Sequence, residues 1–112
     1  MKAAHITTIV AALAWVLSLP VQAGGDPVAG RARNAMCAGC HGILGWRTAY
    51  PDTYRVPKLG GQHEEYLVAA LKQYKTGERR HPSMNAIAAS LSDQDIQNLA
   101  AYYASSYSGP RN

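Results

Sequence analysis

The stretch that decides the fold is "MCAGCHGILG", residues 36 to 45. Two cysteines stand three positions apart, and a histidine follows the second without a gap. A disulfide, a metal site, a redox dithiol and a covalent anchor for a prosthetic group all use cysteines at short spacing. Each needs different partners elsewhere in the chain. Cys37 and Cys40 are the only cysteines among the 112 residues, so a framework of several disulfides is ruled out.

A chain of this length makes one small domain. It begins "MKAAHITTIVAALAWVLSLPVQAGG", with Lys2 as a positive start, an apolar run from Ile6 to Leu19, and small residues before Ala23. That layout predicts a secretory signal peptide over residues 1–23 and a mature domain over 24–112. Thr7, Thr8 and Ser18 interrupt the apolar run and Pro20 ends it. It falls short of the ~20 apolar residues a spanning helix needs, so no stable membrane insertion is expected after cleavage. The mature part has no Phe and one Trp (Trp46), a thin supply for a core. Domains below roughly 70–80 residues need a staple, and one only slightly larger gains from a filler that is not protein.

Without Lys2 the mature chain has ten basic residues against seven acidic, a mild excess with no dense basic run. Nucleic-acid binding fits poorly. A basic face that steers an acidic protein partner fits better.

Three helices are predicted, and no alternating strand. The first opens at Asp26 as N-cap with Pro27 in the first turn, and runs to the cysteines, stopping near Gly39 to Gly42. The segment "GILGWRTAYPDTYRVPKLGGQ" has four glycines and two prolines, which argues against regular structure. A loop that long has a task or wraps something. The second helix, "HEEYLVAALKQYKTG", puts acids in its first turn, lysines near its last and Gly77 past its end. The third, "LSDQDIQNLAAYYASSY", has Ser92 as N-cap, Asp95 as the capping-box acid, and Leu91 and Ile96 as a hydrophobic staple. The segment "ERRHPSMNAIAASLS" is expected to be a loop.

A structural zinc site needs four ligands, usually as two close pairs, and here there is one pair. A thioredoxin-like dithiol expects a βαβ context that this chain lacks. C-x-x-C-H as a haem attachment has a physical logic: two thiols on one side of a helix end reach two vinyl groups, and His41 turns its imidazole under the iron. The macrocycle would also fill the thin core. A sixth ligand then has to be found. Met1 leaves with the leader and Met36 abuts Cys37, so Met84 is favoured, with His81 the main competitor and His63 behind it. A thioether raises the potential relative to a second histidine, and a full coordination shell means electron transfer.

From Asp26 to Tyr107 the chain resembles the small bacterial class I cytochromes c, including the single-domain units that occur in pairs in two-haem relatives. The stretches that carry the likeness are "AGRARNAMCAGCHG", "VPKLGGQHEEYLVAALKQYKTGERRH" and "MNAIAASLSDQDIQNLAAYYAS". The resemblance implies an all-α cytochrome c fold with three main helices around one covalently bound haem c. It implies thioethers at Cys37 and Cys40, iron ligands at His41 and Met84, and a Pro57 carbonyl bonded to the proximal imidazole. Gly30 and Tyr102 or Tyr103 resemble the family's close crossing of first and last helices. Trp46, Arg47, Arg55 and Lys58 are candidate contacts for the haem propionates. Two departures stand out. Asn34 replaces an aromatic common three residues before the first cysteine, and the loop from Ile43 to Val56 is longer, with Trp46, Tyr50 and Tyr54 in it.

The function this implies is a non-enzymatic periplasmic carrier that moves single electrons between a donor and an acceptor protein with acidic docking faces. The alternative is a haem subunit held permanently in a dehydrogenase or oxidase complex.

Overall fold

The computed structural model describes residues 24–49 and 53–106, so the expected leader over 1–23 lies outside the described residues, as does Tyr50. Five helices follow one another: α1 (Pro27–Arg33), α2 (Ala35–His41), α3 (Glu64–Thr76), α4 (Pro82–Ala89) and α5 (Asp93–Ser105). α1 packs on α5, and α3 packs on both α4 and α5. Among the described residues strand-like pairing is confined to one antiparallel bridge, Arg47 with Arg55. The expected all-α class is the observed one.

Local chemistry explains most of these elements. The Asp26 carboxylate accepts the Val28 N–H at 2.8 Å and caps α1, with Pro27 in the first turn. α5 opens on the full capping box: Ser92 Oγ accepts the Asp95 N–H, and the Asp95 carboxylate accepts the Ser92 N–H, each at 3.0 Å. The residues placed as a staple, Leu91 and Ile96, are both buried and form the core cluster with Leu99. α3 ends at Gly77, whose φ of +79° is the left-handed cap that a side chain would strain.

α1 and α5 cross at contact distance because Gly30 has no side chain. A Cβ there would lie 2.0 Å from the Asn98 carbonyl oxygen and 2.8 Å from Tyr102 Cβ. The Asp26 N–H also donates to Asn98 Oδ1 at 2.8 Å, which pins the start of α1 to the same turn of α5.

Three expectations need correction. The first helix is two, because the chain turns at Asn34. Asn34 N–H reaches back only three residues to the Arg31 carbonyl, and the Tyr103 hydroxyl donates to Asn34 Oδ1. The side chain that departs from the family's aromatic is therefore tied to α5 by a hydrogen bond. The long loop is less irregular than its composition implies: Thr48 N–H donates to the Tyr54 carbonyl at 2.9 Å, and Val56 N–H to that of Trp46 at 3.0 Å. Finally, residues 82–89 are a helix and not a loop. Pro82 suits its first position, and the His81 imidazole acts as N-cap by accepting the Met84 N–H at 3.3 Å.

The buried core is small: Leu67, Ala88, Leu91, Ile96, Leu99, Ala100 and Ala101. The helices thus close on one another along α5 and between α3 and α4. Elsewhere they stand around a cavity.

Candidate functional site

The cavity has a volume of about 440 Å³, within the ~300–1,000 Å³ range of ligand and cofactor sites. Cys37, Cys40 and His41 reach it from α2, Met84 from the first turn of α4, and Pro57 from the loop before α3. An apolar stripe on α3 at helical spacing faces it, with Leu67, Ala70, Leu71 and Tyr74 all on its wall. Leu99, Ala100 and Tyr103 do the same from α5. Both helices therefore turn their 3.6-period apolar faces to the cavity.

The candidate contact residues divide. Arg55 and Lys58 line the cavity, whereas Trp46 and Arg47 do not. The bridge places Tyr54 to Lys58 along the wall and leaves Trp46 42% exposed on the outer arm. His81 lines the cavity and stacks on Tyr54, with ring centroids 5.1 Å apart; His63 is exposed and off it. Arg79 also reaches the wall, its guanidinium on the Tyr66 hydroxyl at 3.3 Å and over the Tyr74 ring. Tyr66 and Arg79, both exposed, have no role assigned from the sequence, and Tyr54 stands out only as part of the longer loop. Among the described lining residues the arginine and lysine side chains are Arg55, Lys58 and Arg79, and there is no carboxylate.

The two cavity imidazoles are held in opposite tautomers. His41 Nδ1 stands 2.8 Å from the Pro57 carbonyl oxygen, which can only accept. The proton is thereby fixed on Nδ1 and the lone pair left on Nε2. At His81 the partner is the Met84 N–H, which can only donate, so Nδ1 carries the lone pair and the neutral ring has its proton on Nε2. One ring keeps a lone pair on Nε2, and the other has spent its Nδ1 lone pair on the backbone.

The cysteines are free thiols on one helix, three residues apart. Burial pushes the Cys37 thiol above its ordinary value, with its side-chain hydrogen bond with Tyr103 pulling the other way. Two thiols, an imidazole with a free Nε2, a methionine sulfur and a carbon-lined cavity fit a covalently attached haem. The wall offers apolar surface for a macrocycle, and the cations at Arg55, Lys58 and Arg79 suit its carboxylates.

A family model described as cytochrome c matches residues 29–106. Cytochrome c4 of Pseudomonas aeruginosa is 43% identical over 83 residues, which are 74% of this chain and 39% of that protein. Cytochrome c-554(548) of Halomonas halodenitrificans is 39% identical over 84 residues, covering 72% of this chain and 96% of the relative. A protein named thiosulfate dehydrogenase electron acceptor, from Stutzerimonas stutzeri, is 34% identical over 71 residues, 61% of this chain and 31% of its own. The chain thus spans about two fifths of the cytochrome c4 relatives it matches.

Proposed function

The chain belongs to the cytochrome c family, and on that premise we propose that it is a periplasmic carrier of single electrons between redox proteins. Members of that family carry covalently attached haem c, and this chain has one C-x-x-C-H, from Cys37 to His41. When bound, the group supplies a one-electron ferric/ferrous couple whose potential follows its axial ligands and burial.

The observation that carries the proposal is the pair of opposed tautomers. His41, with Nδ1–H held by the Pro57 carbonyl, keeps Nε2 for the iron, and such an outer hydrogen bond also fixes the ring's orientation. His81, the competitor for the sixth position, has its Nδ1 engaged and no second lone pair in the neutral ring. Of the two methionines on the cavity wall, Met36 abuts Cys37 on the helix that carries His41, which leaves Met84 as the soft donor from another element. Cys37 and Cys40 hold the cofactor from α2, and the apolar faces of α3 and α5 keep water from it. A site filled by His41 and Met84 has no open coordination position, which favours a carrier over a catalyst.

Arg55, Lys58 and Arg79, with Arg80 beside them, make the cavity rim basic and support partners with acidic docking faces. The likeness to a thiosulfate dehydrogenase electron acceptor supports a dehydrogenase as one class of donor. A permanent haem subunit of a larger complex is the second reading. The exposed apolar side chains of Ile43, Leu44 and Trp46 favour it, since obligate interfaces are larger and more apolar than transient ones.

The test is the optical spectrum of the full chain produced in a host that attaches haem. Haem that stays with the denatured polypeptide, and a near-infrared sulfur-to-iron band in the ferric protein that Met84→Ala removes, are expected. A covalent haem without that band would overturn Met84 as ligand. Purification from the native source distinguishes the two readings: a carrier elutes alone and loses its on-rate with salt, and a subunit elutes with its complex.

A further inference from the structure

The segment that delivers Met84 is held by one side chain that is not on the cavity wall. α3 ends at Thr76 and α4 begins at Pro82, and the connection between them is crossed by Asn85. The Asn85 amide nitrogen donates to the Tyr74 carbonyl at 2.7 Å and to the Arg79 carbonyl at 2.8 Å. Its Oδ1 accepts the His81 N–H at 2.8 Å, and its backbone N–H donates to the His81 carbonyl at 2.8 Å. Both amide hydrogens are used, and both backbone groups of His81 are gripped by the same residue. His81 in turn accepts the Met84 N–H through Nδ1. Tyr74, Arg79, His81 and Met84 all line the cavity, and Asn85 stands behind them.

We infer that Asn85 is the positioning residue for Met84: its amide locks the α3–α4 connection and so sets where the methionine sulfur is presented. The inference rests on Met84 being the iron ligand, as proposed above. Few other side chains could do this. Aspartate has no donors for the two carbonyls, and glutamine is longer by a methylene. Leucine would leave the His81 N–H and the Arg79 carbonyl without this partner and the Tyr74 carbonyl with the Gly77 N–H alone. A structural bond elsewhere in the fold stabilises the chain as a whole. This one bears on the residue next to it, so its loss should be read at the iron before it is read in the fold.

The experiment is an imidazole titration of the haem-loaded ferric full chain, followed through the loss of the Met84-dependent near-infrared band. Asn85→Ala should lower the imidazole concentration at half-displacement by about tenfold, the equivalent of leaving part-buried backbone groups without their partner. Asn85→Asp keeps the acceptor for His81 N–H but sets lone pairs against two carbonyls. It should shift the titration at least as far, and it serves if the alanine variant does not fold. Asn98→Ala, which frees the Asp26 N–H on the α1–α5 side, is the control: it should lower overall stability and leave the titration in place. Unshifted Asn85 variants, or an equal shift in Asn98→Ala, would overturn the inference. An unsubstituted protein that has covalent haem but no such band would overturn the Met84 assignment and this inference with it.

Discussion

Replacing Gly30 by alanine tests the packing on which the cavity depends. The added Cβ would stand 2.0 Å from the Asn98 carbonyl oxygen, 2.6 Å from its carbon and 2.8 Å from Tyr102 Cβ. Two of these are backbone atoms in the middle of α5, so no rotamer change relieves the contact. Ordinary contact begins near 3.4 Å, so α1 and α5 would have to part by about 1.4 Å. That opening takes the Asp26 N–H to Asn98 Oδ1 bond, now 2.8 Å, out of hydrogen-bond range. Overpacking costs about 1–3 kcal/mol and the lost hydrogen bond about 1 kcal/mol. Against these, alanine gains about 1 kcal/mol over glycine in helix propensity. The net is a destabilisation of about 2 kcal/mol, a sizeable part of the ~5–15 kcal/mol a domain has. In a domain of this size it lowers Tm by about 8–16 °C.

The assay is chemical denaturation of the haem-loaded protein followed by circular dichroism, with Gly77→Ala alongside. Gly77 has open space around its missing Cβ but a φ of +79°, so its variant suffers conformational strain alone, about 1–2 kcal/mol. Gly30→Ala should fall below the unsubstituted protein by more than helix propensity could mask. Stability equal to or above the unsubstituted protein would refute the close crossing.

The remaining predictions concern the cap, the loop and the tie to Asn34. The Ser92 N–H and hydroxyl hold the Asp95 carboxyl below its ordinary value, with Arg33 3.5 Å away assisting. A depressed folded value means the stabilisation is present above about pH 4, the unfolded value, and is lost as pH falls through the folded one. Tm measured from pH 6 to pH 2 should therefore fall more steeply for the unsubstituted protein than for Asp95→Ala. Pro57→Ala keeps the carbonyl that holds His41, so the haem spectrum should be unchanged while stability drops by about 0.4–1 kcal/mol through a looser unfolded chain; a lost near-infrared band would mean the ring acts other than through that oxygen. Asn34→Ala leaves the half-buried Tyr103 hydroxyl only the Cys37 sulfur as partner and should cost about 0.5–1.5 kcal/mol. Adding Tyr103→Phe should return part of that loss in a double-mutant cycle, and strict additivity would show that the two do not interact.

What could be read from the chain alone follows the range of each determinant. α5 is legible because its cap, box, staple and stripe all fall within Leu91 to Tyr103. α3 is legible for the same reason, from Glu64 and Glu65 to Gly77. The turn at Asn34 is not, since the hydroxyl that ties it down is 69 residues away. α4 was hidden by an imidazole serving as its N-cap, a residue type outside the usual Ser, Thr, Asp and Asn, and by a connection that Asn85 holds through carbonyls.

The same division runs through the site. The spacing of Cys37, Cys40 and His41 is a statement about one helix end, so it can be read from adjacent letters. Which nitrogen of His41 is free comes only through the family resemblance, because it is set by a carbonyl that any residue at position 57 would have. Every residue but one type carries both a backbone donor and an acceptor, so contacts made through them leave no mark in the residue alphabet. His81 and His41 are identical letters on one cavity wall, and only the backbone group facing each Nδ1 leaves one of them a free Nε2 and makes the other a helix cap. The chemistry of this site is therefore written in side chains, but its assignment of roles is written in the path of the main chain around them.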